Sequence, residues 1–178
     1  GDIKLSDNIL IYDEAGDHTG MQSAEIAIKE GSTVEFMTPD RLISSEIMGM
    51  NLTPYLKNLQ NKKITYSIAK RLLDVSIKGN KLNALIGSDY DENFKYNASY
   101  DQVFLNYGIK PLDELYFSLV AFSQNKGEVD YNKFINGEEQ DIIKSDNNKF
   151  NLFRIGDAVS SRNIHAAIYD ALRLVINL

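Results

Sequence analysis

The stretch from Asn8 to Met37, NILIYDEAGDHTGMQSAEIAIKEGSTVEFM, predicts a strand, a helix and a second strand in succession. Asn8 to Asp13 is a short apolar run closed by an acid, which is typical of a buried parallel strand. The apolar residues that follow share one helical face, Gly31 provides a helix stop, and Thr33 to Met37 is the next strand. This order predicts an α/β fold built on a parallel sheet.

A second helix and a third strand follow this unit. Thr53 and Pro54 are typical of a helix cap and a first helical position, and the helical spacing of apolar residues continues to Leu59. Ile64 to Ile68 alternates with polar residues, which indicates a strand with one face in water. The helix is expected to cover the same sheet as the first helix.

The middle of the chain predicts a small antiparallel meander. Leu73 to Ile77 and Leu82 to Ile86 alternate on either side of the turn Lys78-Gly79-Asn80-Lys81, which is a hairpin pattern. Phe94 to Ala98 adds a third strand, and Val103 to Leu105 returns as a buried strand. The fold class is therefore Rossmann-like, with a parallel sheet, helices and a meander.

The last third of the chain is less regular. Gln124 to Asn151 is rich in Asn, Lys, Asp and Gly and predicts loop, with a helical turn around Tyr131 to Ile135. Leu152 to Ile155 predicts a final buried strand, and Gly156-Asp157 predicts the turn after it. An amphipathic helix closes the chain. Its apolar residues are Ile164, Ala167, Ile168, Ala171, Leu172, Val175 and Ile176.

Composition excludes several kinds of function. With 19 basic and 25 acidic residues the net charge is −6, which disfavours nucleic acid and anionic membranes as partners. The absence of cysteine excludes disulfides, thiolate metal sites and iron–sulfur ligation within these residues. No segment approaches the roughly 20 apolar residues of a membrane span, and the first residues have no basic or long apolar leader. We expect a cytoplasmic protein.

The first candidate site is the loop from Ala15 to Gly20, between the first strand and its helix. A dinucleotide-binding loop at this place presents backbone N–H groups to a pyrophosphate. A full fingerprint has glycine at positions 15, 17 and 20, but this chain has Ala15 and Asp17 and keeps only Gly20 of the three, with Gly16 beside them. Two interpretations stay open, namely a structural turn in a degenerate domain and a dinucleotide site that uses Gly16 and Gly20.

The second candidate site is Gly156, Asp157 and Ala158. A glycine after a buried strand permits close backbone approach, and the acid can accept hydrogen bonds from a sugar hydroxyl. The alternative is an ordinary turn in which Asp157 or Ser160 caps the final helix.

The pattern of acids and histidines predicts no catalytic or metal-binding residues. His18 and His165 are the two imidazoles, and no carboxylates stand beside them at ligand spacing. Acids that could pair for proton transfer are interpreted as a solvated surface. They are Asp40, Glu46, Asp113 and Glu114.

Taken in order, these segments resemble one family. The Thr-Pro-Asp-Arg stretch at 38–41 and the Gly-Asp-Ala stretch at 156–158 are its most specific motifs. The others are 9–20, 23–25, 35–37, 101–103, Gly108, Pro111, 153–155 and 162–170. They are similar to the C-terminal region of the trimethylamine/dimethylamine dehydrogenase and NADH:flavin oxidoreductase (2,4-dienoyl-CoA reductase-like) family.

The resemblance implies a domain organisation and a set of cofactors. Residues 7–108 correspond to an NAD(P)-binding-like domain with a degenerate glycine loop, and residues 109–178 to a returning segment of an FAD/ADP-binding-like domain. In this family an N-terminal barrel carries FMN and a cysteine cluster carries a 4Fe–4S centre, and neither lies in these 178 residues. The barrel region is thus the expected partner. ADP or NAD(P)H are the possible ligands of the chain itself.

Three functional hypotheses follow. The first is a fragment of an oxidoreductase, inactive alone, that is structural or binds ADP. The second is a free-standing module that binds NAD(P)H or ADP. The third is an interaction domain with a vestigial nucleotide site. Because half of the second domain is missing, we also expect the final helix to have an uncovered apolar stripe, which favours self-association into a homo-oligomer.

Overall fold

A computed structural model describes residues 4–175 of the chain. The chain divides into two compact units, Gly1–Gly108 and Ile109–Leu178. The domain identities expected for residues 7–108 and 109–178 stay predictions.

The first unit contains a four-stranded parallel sheet, which confirms the predicted α/β class. The strand order is β3-β2-β1-β7. Every neighbouring pair in this sheet is parallel. The strands are β1 (Asn8–Asp13), β2 (Thr33–Met37), β3 (Ile64–Ser67) and β7 (Gln102–Asn106). β1 lies between two partners in the sheet, and its apolar run is buried, as is typical of a central parallel strand whose two faces are both covered.

Two helices cover one face of this sheet, α1 (His18–Lys29) and α2 (Gly49–Leu59). A core cluster lies beneath them and includes Ile11, Met21 and Phe36. The predicted start of α2 is wrong, since the helix begins one turn earlier and encloses Pro54. The Thr53 hydroxyl donates to the Gly49 carbonyl inside the helix, at 2.9 Å, so it does not cap the helix.

The antiparallel meander provides a second core on the opposite face of the sheet. Its strands are β4 (Arg71–Lys78), β5 (Lys81–Gly87) and β6 (Tyr96–Tyr100), in that order. Tyr12 of the parallel sheet and Ile86 of the meander belong to the same buried cluster. The alternation predicted to begin at Leu73 is wrong at that position. A bulge follows Leu72, which pairs with Ile86, while Leu73 is half-exposed.

The second unit contains short helices joined by loops. They are α3 (Glu114–Leu119), a 3₁₀ turn (Val120–Phe122), α4 (Tyr131–Asn136), a 3₁₀ turn (Gly156–Ala158) and α5 (Ile164–Val175). The predicted helical turn lies within α4, and the predicted final helix is α5. Ile176, the last residue of its predicted stripe, lies outside the described residues.

The predicted strand from Leu152 to Ile155 is wrong. Residues 109–175 contain no strand, so this segment has no neighbour with which to form a ladder. The Asn125 side chain takes the place of a neighbouring strand. Its amide donates to the Leu152 carbonyl at 2.8 Å, and its oxygen accepts from the Leu152 N–H at 2.9 Å.

Candidate functional site

The first candidate site lies at the carboxyl edge of the parallel sheet, where open α/β sheets bind their ligands. β1 and β7 are paired there, which sets Asp13 opposite Asn106. The loop between β1 and α1 leaves this edge, and its first two amides, of Glu14 and Ala15, donate to the Asn106 carbonyl at 2.9 and 3.1 Å. The end of β7 therefore anchors the start of the loop.

Gly16 lies in this loop and Gly20 lies in the first turn of α1, and the geometry favours glycine at both positions. Gly16 has a φ of +68°, a left-handed conformation that favours glycine. Gly20 is helical, and a Cβ there would lie 2.8 Å from the Asp13 carboxyl. Close approach of the helix to β1 therefore needs a residue without a side chain at position 20.

Asp17 occupies the N-terminus of α1, the position at which a phosphate would bind. It is the N-cap residue, and its carboxylate accepts from the Thr19 N–H at 2.9 Å and from the Asn106 side-chain amide at 2.9 Å. Burial raises the pKa of Asp17, but the hydrogen bonds from Asn106 and Thr19 outweigh it and hold the pKa below its ordinary value. Asp17 is therefore an ionised group at the helix N-terminus.

Asp13 is a second acid beside Asp17 and is fully buried. Its Oδ1 accepts from the Gly16 N–H at 3.1 Å and from the Asn106 side chain at 2.8 Å. Its Oδ2 is buried and has no hydrogen-bond partner among the described residues. Burial raises the pKa of Asp13, and the bonds from Gly16 and Asn106 offset only part of this effect. One asparagine thus links two carboxyl groups in the loop.

Residues 40–47, here called the covering segment, pack against the glycine loop. The Glu46 N–H donates to the Gly16 carbonyl at 3.1 Å. A Cβ added to Gly16 would meet the Ser45 Oγ at 2.7 Å, and that hydroxyl is held by Asp40 at 2.9 Å. The space beside Gly16 is therefore filled by the chain itself.

A guanidinium at the same edge is also already paired. Arg71 contacts Glu14, which follows β1, at 2.7 Å, and it contacts Asp89 at 2.5 Å. Hydrogen bonds to Asp89 and Glu14 raise the pKa of Arg71 above its usual range. With both carboxylates in place, little of this positive charge is left for an anionic ligand.

The second candidate site lies in the second unit. Gly156 has a φ of +55°, and its N–H donates to the Asp170 carboxylate of α5 at 3.2 Å. Asp157 is exposed, and among the described residues its carboxylate accepts one long bond, from the Arg162 N–H at 3.4 Å. Its carboxylate is thus available, whereas the Gly156 N–H is already used. Ala158 ends this 3₁₀ turn.

The capping alternative for this turn is wrong. The Asn163 side chain accepts from the Ala166 N–H at 2.9 Å, which is the bond of an N-cap, so neither Asp157 nor Ser160 caps α5.

Of the other polar candidates, His18 follows Asp17 at the start of α1, and Asp40 and Glu46 belong to the covering segment. The His18 imidazole lies 3.0 Å from the Tyr55 hydroxyl on α2. Residues 4–175 hold no group of three or more His, Cys, Asp or Glu side chains that fits a metal ion. Within the same range, no helix has the length and apolar character needed to cross a membrane.

Sequence reasoning missed Asn106 and the role of Ser45. Asn106 ends a predicted strand without any motif of its own, and Ser45 lies in a stretch with no periodicity. The acid that closes the apolar run at Asp13 was visible, but its partner lies 93 residues away in sequence. One signal could have indicated this pair. An acid ends one predicted buried strand, and a side-chain amide ends another.

Comparison with known proteins shows what the chain is similar to. No family model matches the chain. It is 50% identical over 175 residues to a probable N-methylproline demethylase of Rhizobium meliloti and 31% identical over 178 residues to an N,N-dimethylglycine/sarcosine dehydrogenase of Chromohalobacter salexigens. It is 27% identical over 172 residues to a multifunctional alkene reductase/demethylase of Caballeronia cordobensis. The alignments cover 96–98% of the chain but only 26% of each relative, so the chain spans about a quarter of their length.

Solved structures share the fold at low sequence identity. A 6-hydroxypseudooxynicotine amine oxidase from Pseudomonas geniculata superposes with a TM-score of 0.65 at 18% identity, over 98% of this chain and 23% of that one. A 2-naphthoyl-CoA reductase gives 0.62 at 15% identity, over 99% and 22%. A thioredoxin reductase from Lactococcus lactis gives 0.59 at 13% identity, over 95% and 51%. By its relatives and its motifs, the chain is similar to the C-terminal regions of the trimethylamine/dimethylamine dehydrogenase and NADH:flavin oxidoreductase family.

Proposed function

We propose that the chain is the C-terminal, non-catalytic part of an FMN- and 4Fe–4S-containing oxidoreductase, and that its first unit has a structural role and does not bind a pyridine nucleotide. The observation that carries this proposal is the Asp17 carboxylate at the N-terminus of α1, held by Thr19 and Asn106. It takes the hydrogen bonds and the helix-dipole position that a pyrophosphate would use.

Electrostatics and space both support this proposal. Two unit charges of the same sign 4 Å apart repel by about 4 kcal/mol at an effective dielectric of 20, which is roughly a thousandfold in affinity. The Asp17 carboxylate would repel a phosphate bound at this helix N-terminus, and Asp13 is a second acid beside it. Ser45 fills the space beside Gly16, and Arg71 is already paired with two acids.

The names of the relatives suggest the parent reaction. They are a demethylase, a dehydrogenase and an alkene reductase/demethylase, two of them named for N-methylated substrates. We infer that the parent oxidises a methylated amine or reduces an alkene, with electrons passing through FMN. The chain has no cysteine, so its residues do not fit an iron–sulfur cluster. The flavin and the cluster would belong to the N-terminal barrel region, which is the proposed partner of the chain.

ADP is the proposed ligand of the second unit. Gly156 keeps the left-handed turn, and the Asp157 carboxylate is exposed and able to accept from a ribose hydroxyl. The rest of such a site would come from the missing half of the domain.

Titration calorimetry with NADH, NADPH and ADP tests these statements. We expect no heat from NADH or NADPH at millimolar concentration with the chain. Asp17→Gly combined with Ser45→Gly should make NADH binding detectable, and Asp17→Asn alone should not, since it removes the charge but leaves the space filled. Micromolar binding of NADH by the unaltered chain would contradict the structural role.

ADP bound to the longer protein and released by Asp157→Ala would support the second site.

A further inference from the structure

The four methionines of the chain divide into a buried pair and an exposed pair. Met21 and Met37 are 0% exposed, and each belongs to one of the two core clusters of the first unit. Met48 and Met50 lie on either side of the first residue of α2 and are 74% and 87% exposed. Because the sequence has no cysteine, these four thioethers contain its only sulfur atoms. Met48 and Met50 are here called the exposed pair.

The fold holds the exposed pair in solvent. Ile47, which immediately precedes it, is 6% exposed and belongs to the core cluster beneath α1 and α2. Leu52, in the first turns of α2, packs against the same cluster. Since the residues on both sides are anchored in a closely packed core, Met48 and Met50 cannot turn inward without displacing one of them.

The stability of α2 does not account for a methionine at its start. Met48 is the N-cap residue of the helix and makes no side-chain hydrogen bond to it. Serine, threonine, aspartate and asparagine are preferred at this position, because their oxygen accepts from an amide of the first turn. Asp17 and Asp130 do so at the N-caps of α1 and α4. What methionine supplies at this position is an accessible thioether.

Hydrogen peroxide oxidises an accessible thioether to a sulfoxide. The sulfur attacks one peroxide oxygen, and an S–O bond forms as the O–O bond breaks. The proton of the attacked oxygen passes to the other oxygen, which leaves as water. The sulfur loses two electrons and the peroxide gains them. Methionine sulfoxide reductases reverse this change.

The position of the sulfur decides what oxidation does to the fold. A sulfoxide is polar, so at Met48 and Met50 its oxygen stays in water. At Met21 or Met37 the same group would be buried among apolar side chains, which is unfavourable for a polar group. The exposed pair can therefore be oxidised in the folded state, and the buried pair cannot be oxidised without disturbing a core cluster.

We propose that Met48 and Met50 are a site of reversible oxidation by hydrogen peroxide, which reacts before Met21 and Met37 and leaves the fold intact. This inference does not depend on the proposed function, because it needs only the exposure of two thioethers and the burial of two others.

The test treats the longer protein with hydrogen peroxide and follows each methionine by peptide mass spectrometry. We expect Met48 and Met50 to gain one oxygen each at least about tenfold faster than Met21 and Met37, since peroxide reaches them directly from solvent. Hydrogen exchange of α1 and β2 should stay unchanged while only the exposed pair is oxidised, and should become faster once Met21 or Met37 is oxidised. A methionine sulfoxide reductase should remove both oxygens from the exposed pair.

Three variants sharpen the test. Met48→Leu combined with Met50→Leu should abolish the fast uptake of oxygen in the peptide that contains α2, and Met21→Leu should leave it unchanged. Leucine is close to methionine in volume, so the variants are expected to fold. Met48→Ser supplies a capping hydroxyl and should slow hydrogen exchange of the first amides of α2.

Three results would overturn the inference. Equal rates of oxidation at all four methionines would show that exposure does not select the pair in the longer protein. Faster exchange of α1 or β2 while only the exposed pair is oxidised would show that the fold does not tolerate the change. Faster exchange of α2 in Met48→Ser would assign Met48 a packing role.

Discussion

The two units of the chain differ in how much apolar surface they bury. The first unit has two core clusters, one on each face of its parallel sheet, with Phe36 and Tyr12 fully buried. In the described part of the second unit, Leu174 is the one buried apolar side chain, and Leu112 and Phe122 are 93% and 61% exposed. Hydrophobic burial is the dominant favourable contribution to folding, so the first unit contains most of its own stability and the second does not.

Polar contacts take the place of a core in the second unit. Asn125 is fully buried and bonds to Leu152 at both backbone groups, and the Gln140 side chain bonds to the N–H and the carbonyl of Asp130. Arg154 pairs with Asp113 at 2.6 Å. Such contacts specify a geometry but contribute only about 0.5–1.5 kcal/mol each. The described part of the second unit therefore has less apolar burial to stabilise it than the first unit has.

The largest expected effect tests the core directly. Phe36→Ala should destabilise the first unit by about 3–5 kcal/mol, because it removes a buried ring and leaves a cavity. Phe122→Ala, in the second unit, should cost less than about 0.5 kcal/mol. Urea unfolding followed by tyrosine fluorescence measures both. Similar losses of stability in the two variants would contradict the difference in burial between the two units.

Asn125→Ala tests the polar contacts of the second unit. It should cost about 1–3 kcal/mol, because both backbone groups of Leu152 lose their partner. Exposed Asn132 on α4 is the control, and its replacement by alanine should be nearly neutral. Hydrogen exchange at Leu152 reports the difference. Unchanged exchange in Asn125→Ala would show that other contacts hold this segment.

Gly20→Ala examines the close packing of α1 on β1. The added Cβ would meet the Asp13 carboxyl at 2.8 Å, and we expect a loss of about 1–2 kcal/mol. Gly49→Ala in α2 is the matched helical control, with open space at its Cβ, and should be neutral or stabilising by up to about 1 kcal/mol. Thermal melting of both variants separates overpacking from helix propensity.

The smallest effect is a pH dependence that arises from Asp13. Burial raises its pKa in the folded chain, so the folded state retains the proton to higher pH than the unfolded state. The stability of the unaltered chain should therefore fall as pH rises from the unfolded pKa, near about 3.9, through the folded pKa. Asp13→Asn removes this loss, so its stability relative to the unaltered chain should improve between pH 3 and pH 7. A difference that stays constant over this range would contradict the assignment.

Local patterns account for the parts of the fold that the sequence predicted. The apolar run at β1, the helical spacing in α1 and the alternation in the meander each depend on neighbours within a few residues. The strand expected at Leu152 to Ile155 has the same local pattern, but residues 109–175 contain no strand with which it could pair. Pairing is a property of two segments, and so one segment cannot reveal it.

The candidate site also has a part that the sequence predicted and a part that only the structure shows. The amino-acid sequence alone determined the class of the first unit, the family resemblance and the position of Gly16 and Gly20, because glycine spacing after a buried strand is a local signal. Only the tertiary structure brought Asn106 to Asp13 and Asp17, and Ser45 to Gly16. Those contacts join residues up to 93 positions apart, whose proximity is set by the order of the strands in the sheet. The sequence predicted the glycine loop, and only the fold shows that Ser45 fills the space beside Gly16.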